Sequence, residues 1–296
     1  MTKAPLRVVI NGFGRIGRTV FRQILTDPRH AHIQVVAIND IAPLDTCAYL
    51  FRYDSTFGPY PSKVDTDKDA LIVGGKRIPF LRSDVLDQQD FADVDVVLEC
   101  TGKLTSREHA THGLKAGASA VLISGPSQYA DLTVVTGAND DTLGDALVVA
   151  NSSCTTNAIA PLLRALDAEA GVMRAHISTI HCYTSSQPMV DAPRGDLARS
   201  RAGAESMVPT TTSAAKEVQK VLPKIGARTS VAAVRVPSLS VSAIDATIQL
   251  GTPLAAFSNV QLEVIAAAST VIGTIDDACV SRDLRARSES LILALP

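Results

Sequence analysis

A glycine-punctuated junction near the start of the chain limits its fold more than any other feature. The β-branched run Leu6-Arg7-Val8-Val9-Ile10-Asn11 stops at Gly12-Phe13-Gly14-Arg15-Ile16-Gly17. Beyond it the apolar residues Ile16, Val20, Phe21 and Ile24 recur at helical spacing, and Pro28 follows the stop. Such a strand-to-helix junction has a physical reading: the first glycine permits the tight turn, the second lets a pyrophosphate approach the backbone, and the third lets the helix pack closely on the strand. The phosphates then face the partial positive charge of a helix N-terminus. Asp40 lies 23 residues after Gly17, at the end of a second apolar run. An acid at this spacing accepts hydrogen bonds from the adenosine ribose and repels a 2′-phosphate, which favours NAD over NADP. The other reading is a tight turn with no dinucleotide; strand, turn, helix and acid together weigh against it.

Further apolar runs at 94–98, 120–124 and 147–150 alternate with helical patterns. Strand–helix–strand alternation argues for a parallel sheet covered on both faces. The stretch 54–81, rich in Gly and Pro, reads as an excursion with a hairpin around Gly74-Gly75. After Cys154 the texture changes. A helix at 155–169 leads to a strand at 176–180 and then to a long polar segment, 182–212. A helix at 214–221, strands at 230–236 and 241–250, and a helix at 260–272 complete the pattern. The 296 residues suggest about two domains at roughly 150 residues each. The expectation is an α/β, Rossmann-type doubly wound parallel sheet over 1–153, followed by an α+β catalytic domain over 154–296.

Charge and composition exclude several classes. Lys plus Arg number 28 against 30 for Asp plus Glu, a net charge of −2, so no strong field steers the chain onto a phosphate backbone or an anionic membrane. The local basic run Arg282, Arg285, Arg287 is too thin for a nucleic-acid footprint. Apolar residues make up 46% and charged residues 20%, which argues for a large core and against disorder. No apolar stretch is long enough to span a membrane, and the N-terminus shows no signal-peptide pattern. Five cysteines, at 47, 100, 154, 182 and 279, are odd in number, scattered and without a C-x-x-C pair. That pattern suits free thiols in a reducing compartment and no metal site. The expectation is a cytoplasmic protein with no nucleic-acid or membrane partner.

Ser152-Ser153-Cys154-Thr155-Thr156-Asn157 places a thiol among hydroxyl residues at the start of an apolar-periodic helix. There the helix dipole favours negative charge, and first-turn amides can act as an oxyanion hole. A buried structural cysteine more often sits among aliphatic residues, as Cys100 does after Val96-Val97-Leu98; for Cys154 in isolation both readings stand. His181 lies 27 residues further on, at the end of a strand that one returning helix can bring back beside Cys154. A Cys–His pair within hydrogen-bond reach makes a nucleophile at neutral pH. His176 reads as structural, and His30, His32, His109 and His112 read as solvated surface.

Taken together, Asn-Gly-Phe-Gly-Arg-Ile-Gly-Arg at 11–18, Ser-Cys-Thr-Thr-Asn at 153–157 and Thr-Ile-His at 179–181 resemble the phosphorylating glyceraldehyde-3-phosphate dehydrogenase family. Ala-Ala-Lys at 214–216 and Val-Arg-Val-Pro at 234–237 add to the match, which runs collinearly from residue 6 to about 283. The resemblance implies NAD as cofactor, with a small phosphorylated aldehyde and inorganic phosphate as substrates. Cys154 is then the nucleophile and His181 its base. By the resemblance, cofactor contacts fall on Gly12, Gly14, Arg15, Ile16, Gly17, Asp40, Arg82 and Ser124. Substrate and phosphate contacts fall on Ser153, Thr155, Thr184, Arg199, Thr212, Ser213 and Arg235. The family assembles as a homotetramer, which the resemblance extends to this chain.

Departures accompany the match. The family's Thr-Asn-Asp-Gln is Thr184-Ser185-Ser186-Gln187, without the carboxylate that helps orient the phosphate-binding arginine. Its Thr-Gly pair is Thr212-Ser213, which sets a side chain where an amide should face phosphate. Ala158 stands where the family has a second cysteine. Family members run on for a further strand, an aromatic-rich turn and a final helix bearing the asparagine that fixes the nicotinamide. The expectation is therefore a C-terminally shortened member. Three readings follow: a glyceraldehyde-3-phosphate dehydrogenase, an erythrose-4-phosphate dehydrogenase, which residues 234–245 resemble, or a catalytically impaired NAD-binding homologue.

Overall fold

The computed structural model describes residues 4–252 and 258–295. Its contacts divide the chain into two compact units, one of residues 1–133 and 143–151, the other of residues 134–142 and 152–296.

The first unit is organised by a nine-stranded sheet. Its elements in chain order begin β1 (Leu6–Asn11), α1 (Arg15–Thr26), β2 (Ile33–Asn39) and α2 (Leu44–Arg52). The short pair β3 (Tyr53–Asp54) and β4 (Gly58–Pro59) precedes β5 (Val64–Asp67), β6 (Ala70–Val73) and β7 (Lys76–Leu81). Then come β8 (Val96–Glu99), α3 (Arg107–Ala110), α4 (His112–Lys115), β9 (Ala120–Ile123), β10 (Leu132–Val134) and β11 (Val148–Asn151). The strand order is β10-β11-β9-β8-β1-β2-β7-β6-β5. β1 pairs in parallel with β2 on one side and β8 on the other, so the chain reverses its direction of travel across the sheet at β1. Crevices outside the carboxyl ends of strands at such a switch point are where α/β sheets bind ligands.

Alternating side chains of β1 serve two cores. Ile10 joins Phe13, Phe21, Ile38, Phe51 and Phe80 beneath α1 and α2, where the Phe21 and Phe51 rings lie 5.0 Å apart. Val9 joins Val97, Val121 and Val148 on the opposite face. A sheet buried on both faces explains why these strands read as continuous apolar runs. The hairpin at Gly74-Gly75 is formed by β6 and β7, with both glycines at positive φ. The excursion it belongs to is also part of the main sheet, since β7 pairs in parallel with β2 through Ile38↔Phe80 and Asn39↔Leu81. The sequence gives no sign of that pairing, which rests on two residues of each strand.

The second unit contains α5 (Cys154–Ala170), β12 (Val172–Cys182), β13 (Val208–Thr210), α6 (Ala214–Val221), α7 (Pro223–Gly226), β14 (Thr229–Val236) and β15 (Ala243–Leu250). It ends with α8 (Asn259–Ala267), β16 (Ile272–Ile275) and β17 (Leu291–Ala294). A four-stranded sheet runs β13-β14-β12-β15, with β12 and β14 parallel and the outer pairs antiparallel. Its inner face packs Ala175 and Ile177 against Ile159, Leu163 and Leu166 of α5 and Val218 of α6. The helix expected over 260–272 stops short. Ser269 Oγ accepts from the amides of both Val271 and Ile272 at 3.1 Å, a turn that ends α8 and releases Ile272 into a parallel pair with Leu291. Hydroxyl competition for backbone amides is a known helix stop.

Candidate active site

In the first unit the three glycines of the turn differ in their surroundings. Gly12 sits at φ +94°, and a Cβ there would lie 2.7 Å from Thr101 N. A Cβ on Gly17 would lie 2.1 Å from Gly12 O, so only glycine lets α1 pack on the turn. Gly14 is different. Its φ is −72° and a Cβ would meet nothing within 4 Å, because the residue borders open space at the start of α1. Gly14 caps α1 without a side-chain hydrogen bond, and the first turn carries no acid, so that terminus is left for an incoming anion. Arg15 and Ile16 stand exposed on this turn. Arg18 stiffens it, its Nη1 donating to Phe13 O at 2.8 Å.

Asp40 accepts from the amide of Phe13 at 2.6 Å and from Ala42 N at 2.9 Å, so the acid at the end of β2 is part of the turn itself. A cavity of about 360 Å³ opens beside it, bordered by Gly12, Gly14, Asp40, Ser83, Glu99 and Thr101 among others. Arg82 and Ser124 lie outside that lining. Arg82 is exposed with Nη2 at 3.4 Å from Ile41 O, and Ser124 directly follows β9 with its amide on Glu99 O at 2.9 Å.

Two histidines expected on the solvated surface are instead half-buried in this cavity. His109 and His112 line it with their rings 5.0 Å apart, and His112 Nε2 is 3.9 Å from Asp87. The reason lies in Gly113, whose missing side chain lets α4 press onto the sheet; a Cβ there would fall 2.9 Å from both Val97 and Val121.

The residues present fit a dinucleotide. An uncapped helix N-terminus, a glycine with space where a side chain would stand, and an acid beside an open cavity are what its phosphates and ribose require.

In the second unit, Cys154 opens the 17-residue helix α5. Ser153 caps that helix by accepting from Thr156 N at 3.1 Å. Ahead of it, buried Ser152 donates to Glu217 of α6 at 3.3 Å, which fixes where the helix starts. Thr155 turns inward and is buried, leaving the Cys154 thiol exposed. β12 returns antiparallel to α5 and brings His181 back, with Nε2 3.1 Å from Cys154 Sγ. His181 Nδ1 faces Cys182 O at 2.6 Å; with that nitrogen protonated it donates there, and Nε2 is then the basic nitrogen toward sulfur. Cys154 and His181, singled out in the sequence, are brought together.

Arg235 is the register partner of His181 on the neighbouring strand β14. Its Nη1 donates to Cys182 O at 2.8 Å, so a backbone carbonyl orients the guanidinium. Burial pulls the Arg235 pKa down, while the nearby Cys182 and Cys154 sulfurs oppose this and Arg199 adds to it. Arg199 is held by Thr210 Oγ1 at 2.7 Å and Thr211 O at 2.9 Å. Thr184 pairs with Ser186 at 3.0 Å, and Thr212 Oγ1 accepts from Ala214 N at 3.1 Å. Ser213 sits at φ −83°, a conformation open to any residue, so no glycine is needed there. Cys182 is a second thiol in this neighbourhood. Burial pushes it up, but hydrogen bonds with His181 and Ser242 outweigh this and leave it below the usual thiol range.

Among the described residues no group of three or more His, Cys, Asp or Glu is arranged to hold a metal, and no helix is long and apolar enough to cross a membrane.

Comparison with known families agrees with both halves. The family described as glyceraldehyde 3-phosphate dehydrogenase, NAD binding domain, matches residues 6–107, and its C-terminal domain matches residues 153–295. With an NAD-binding sheet and a cysteine–histidine pair, the chain is an NAD-dependent oxidoreductase. It is 45% identical to a glyceraldehyde-3-phosphate dehydrogenase of Xanthobacter flavus over 81% of this chain and 72% of that one. It is 42% identical to one from Geobacillus stearothermophilus over 83% and 73%, and 38% identical to glyceraldehyde-3-phosphate dehydrogenase 2 of Bacillus subtilis over 97% and 86%. The chain belongs to the glyceraldehyde-3-phosphate dehydrogenase family.

Proposed function

We propose that the chain oxidises glyceraldehyde 3-phosphate with NAD and inorganic phosphate to 1,3-bisphosphoglycerate, through a thioester on Cys154. The observation that carries this reading is the 3.1 Å approach of Cys154 Sγ to His181 Nε2 at a helix N-terminus, with Arg235 paired beside the histidine. His181 takes the thiol proton as the sulfur adds to the aldehyde carbon, and returns it to the former carbonyl oxygen, giving a hemithioacetal. NAD, held through Gly12, Gly14, Arg15, Ile16, Gly17 and Asp40, supplies the hydride acceptor. His181 removes the hydroxyl proton again as the hemithioacetal carbon gives up its hydride to that acceptor and becomes the thioester carbonyl. Inorganic phosphate attacks the thioester carbonyl, the C–S bond breaks, and the acyl phosphate leaves with Cys154 restored as thiolate.

Two anions must be held near one sulfur, the substrate phosphate and the attacking phosphate. Arg199 and Arg235 supply the charge, and Ser153, Thr155, Thr184, Thr212 and Ser213 supply hydroxyls and amides. An arginine fork suits phosphate geometry. The same reading has Arg82 and Ser124 on the nucleotide, a domain boundary after residue 153, a homotetramer, and a cytoplasmic location.

Following NADH absorbance with NAD, phosphate and either glyceraldehyde 3-phosphate or erythrose 4-phosphate tests it. Phosphate-dependent NADH formation with the three-carbon aldehyde is the expected result. A preference for the four-carbon aldehyde reassigns the substrate. No NADH with either, in folded protein that binds NAD, overturns the reading and leaves an NAD-binding homologue.

A further inference from the structure

Beneath the nucleotide turn runs a buried polar chain that the reaction does not use. Glu99, at the end of β8, is 5% exposed and lines the cavity. One carboxylate oxygen accepts from Thr101 N at 2.9 Å and from the Thr101 hydroxyl, and the other accepts from Asn11 Nδ2 at the end of β1. Asn11 Oδ1 accepts from Asn39 Nδ2 at 2.8 Å, at the end of β2. Asn39 closes on the segment after β7, donating to Ser83 O at 2.9 Å and accepting from Ser83 N at 3.0 Å. Three strand ends and the segment that follows a fourth are thus tied together at the edge where the dinucleotide binds.

The direction of this chain is fixed from both ends by backbone. Ser83 N can only donate, so Asn39 must turn its oxygen there and its amide toward Asn11. Asn11 must then offer its amide to residue 99. Thr101 N also donates to residue 99. That position therefore receives donors on both atoms, which a carboxylate satisfies and a carboxamide cannot. A mismatch here is communicated directly to the turn. Asn11 immediately precedes Gly12, and a Cβ on Gly12 would press on Thr101 N at 2.7 Å and Cys100 C at 2.8 Å. The Thr101 hydroxyl in turn accepts from Lys103 N at 3.2 Å, ordering the loop on the cavity's rim.

We infer that Glu99 is a positioning residue for the dinucleotide: as an acceptor-only side chain it sets the direction of the Glu99–Asn11–Asn39–Ser83 relay and so holds the glycine turn in its binding geometry. The inference rests on the NAD-binding role of the first unit. It is tested on the full chain by NAD titration calorimetry and steady-state kinetics, with thermal unfolding as the check on folding. Glu99→Gln opposes two amide donors, and Asn11→Asp opposes two carboxylates. Each single variant is expected to raise the NAD Kd and the KM for NAD about tenfold, with kcat at saturating NAD within threefold and Cys154 alkylation unchanged. The double variant Asn11→Asp/Glu99→Gln puts the acceptor-only residue one place along and restores every donor–acceptor match, so its Kd should return to within threefold of wild type.

Single variants within twofold of wild type overturn the inference, as does a double variant no better than the singles. If the singles fail to fold, a double variant that folds and binds NAD upholds it, and one that also fails overturns it. A wild-type chain that binds no NAD overturns the functional reading as well, and so separates the two failures.

Discussion

Alanine at Gly17 and alanine at Gly14 should damage this protein in different ways, although both glycines belong to one six-residue turn. At Gly17 the new methyl would fall 2.1 Å from Gly12 O, a backbone atom with no rotamer to escape into. Ordinary contact requires the helix and the turn to separate by about 1 Å, and overpacking of this kind costs about 3 kcal/mol or more. At about 2–4 °C per kcal/mol for a chain of this size, the melting temperature should fall by about 6–12 °C. At Gly14 the methyl meets nothing, the φ of −72° suits alanine, and the loss is that of a poorer helix cap, about 0.5–1 kcal/mol. On the proposed function the methyl occupies space that a phosphate needs, so NAD affinity should fall tenfold or more. Differential scanning calorimetry and NAD titration on the two variants separate these effects. Equal losses of melting temperature, or a Gly14→Ala protein that binds NAD like wild type, would refute the division of labour.

Three further outcomes are expected. Replacing His181 by Asn should lower turnover by about 10²–10⁴-fold and slow iodoacetamide capture of Cys154; turnover within tenfold of wild type would remove His181 as the base. Ser153→Ala deletes the side chain that caps α5 at 3.1 Å and should cost about 1 kcal/mol, read as a melting shift of about 2–4 °C; an unshifted transition would mean that the cap is not needed. Burial pushes the Cys100 and Cys47 thiols up to about 11, from 9.0 in the open chain. A thiol whose folded pKa is raised adds stability that is intact below pH 9 and is lost as pH climbs toward 11. Unfolding free energy should therefore decline across that window. Cys100→Ala should flatten the decline by at most about 3 kcal/mol, and an unchanged slope would contradict the assignment.

Much of this structure was legible because it is written locally. The strand, turn and helix at 6–26 follow from β-branched residues, glycines and a helical apolar period within one short stretch. Cys154 at the head of α5 follows from its Ser-rich cap, and its meeting with His181 follows from one helix and one returning strand. What escaped depends on contacts distant in sequence. The pairing of β7 with β2 joins residues about 42 apart through two register positions, Ile38↔Phe80 and Asn39↔Leu81, with no local signature. The helix at 259–267 ends sooner than its apolar spacing predicts because Ser269, a small hydroxyl, binds the amides of Val271 and Ile272. His109 and His112 read as solvated polar residues because Gly113, which lets α4 press onto the sheet, says nothing in isolation. The relay through Glu99 had a faint signal in Asn11, Asn39 and Glu99, polar residues each ending an apolar run.

The outermost strand of the large sheet carries a consequence for solubility. β5 ends the strand order and is four residues long, Val64-Asp65-Thr66-Asp67. Lys63 binds Asp65 at 2.7 Å, Arg52 lies 3.9 Å from Asp65, and Arg77 lies 3.7 Å from Asp67. A strand from another molecule seeking the free edge would have to strip water from these charges for at most four residues of ladder. Edges built this way resist recruitment into aggregates, and such protection matters most while the parallel strands beside them, slow to pair, are still being assembled. The acidic strand at 64–67 thus guards the nascent chain as much as the finished one.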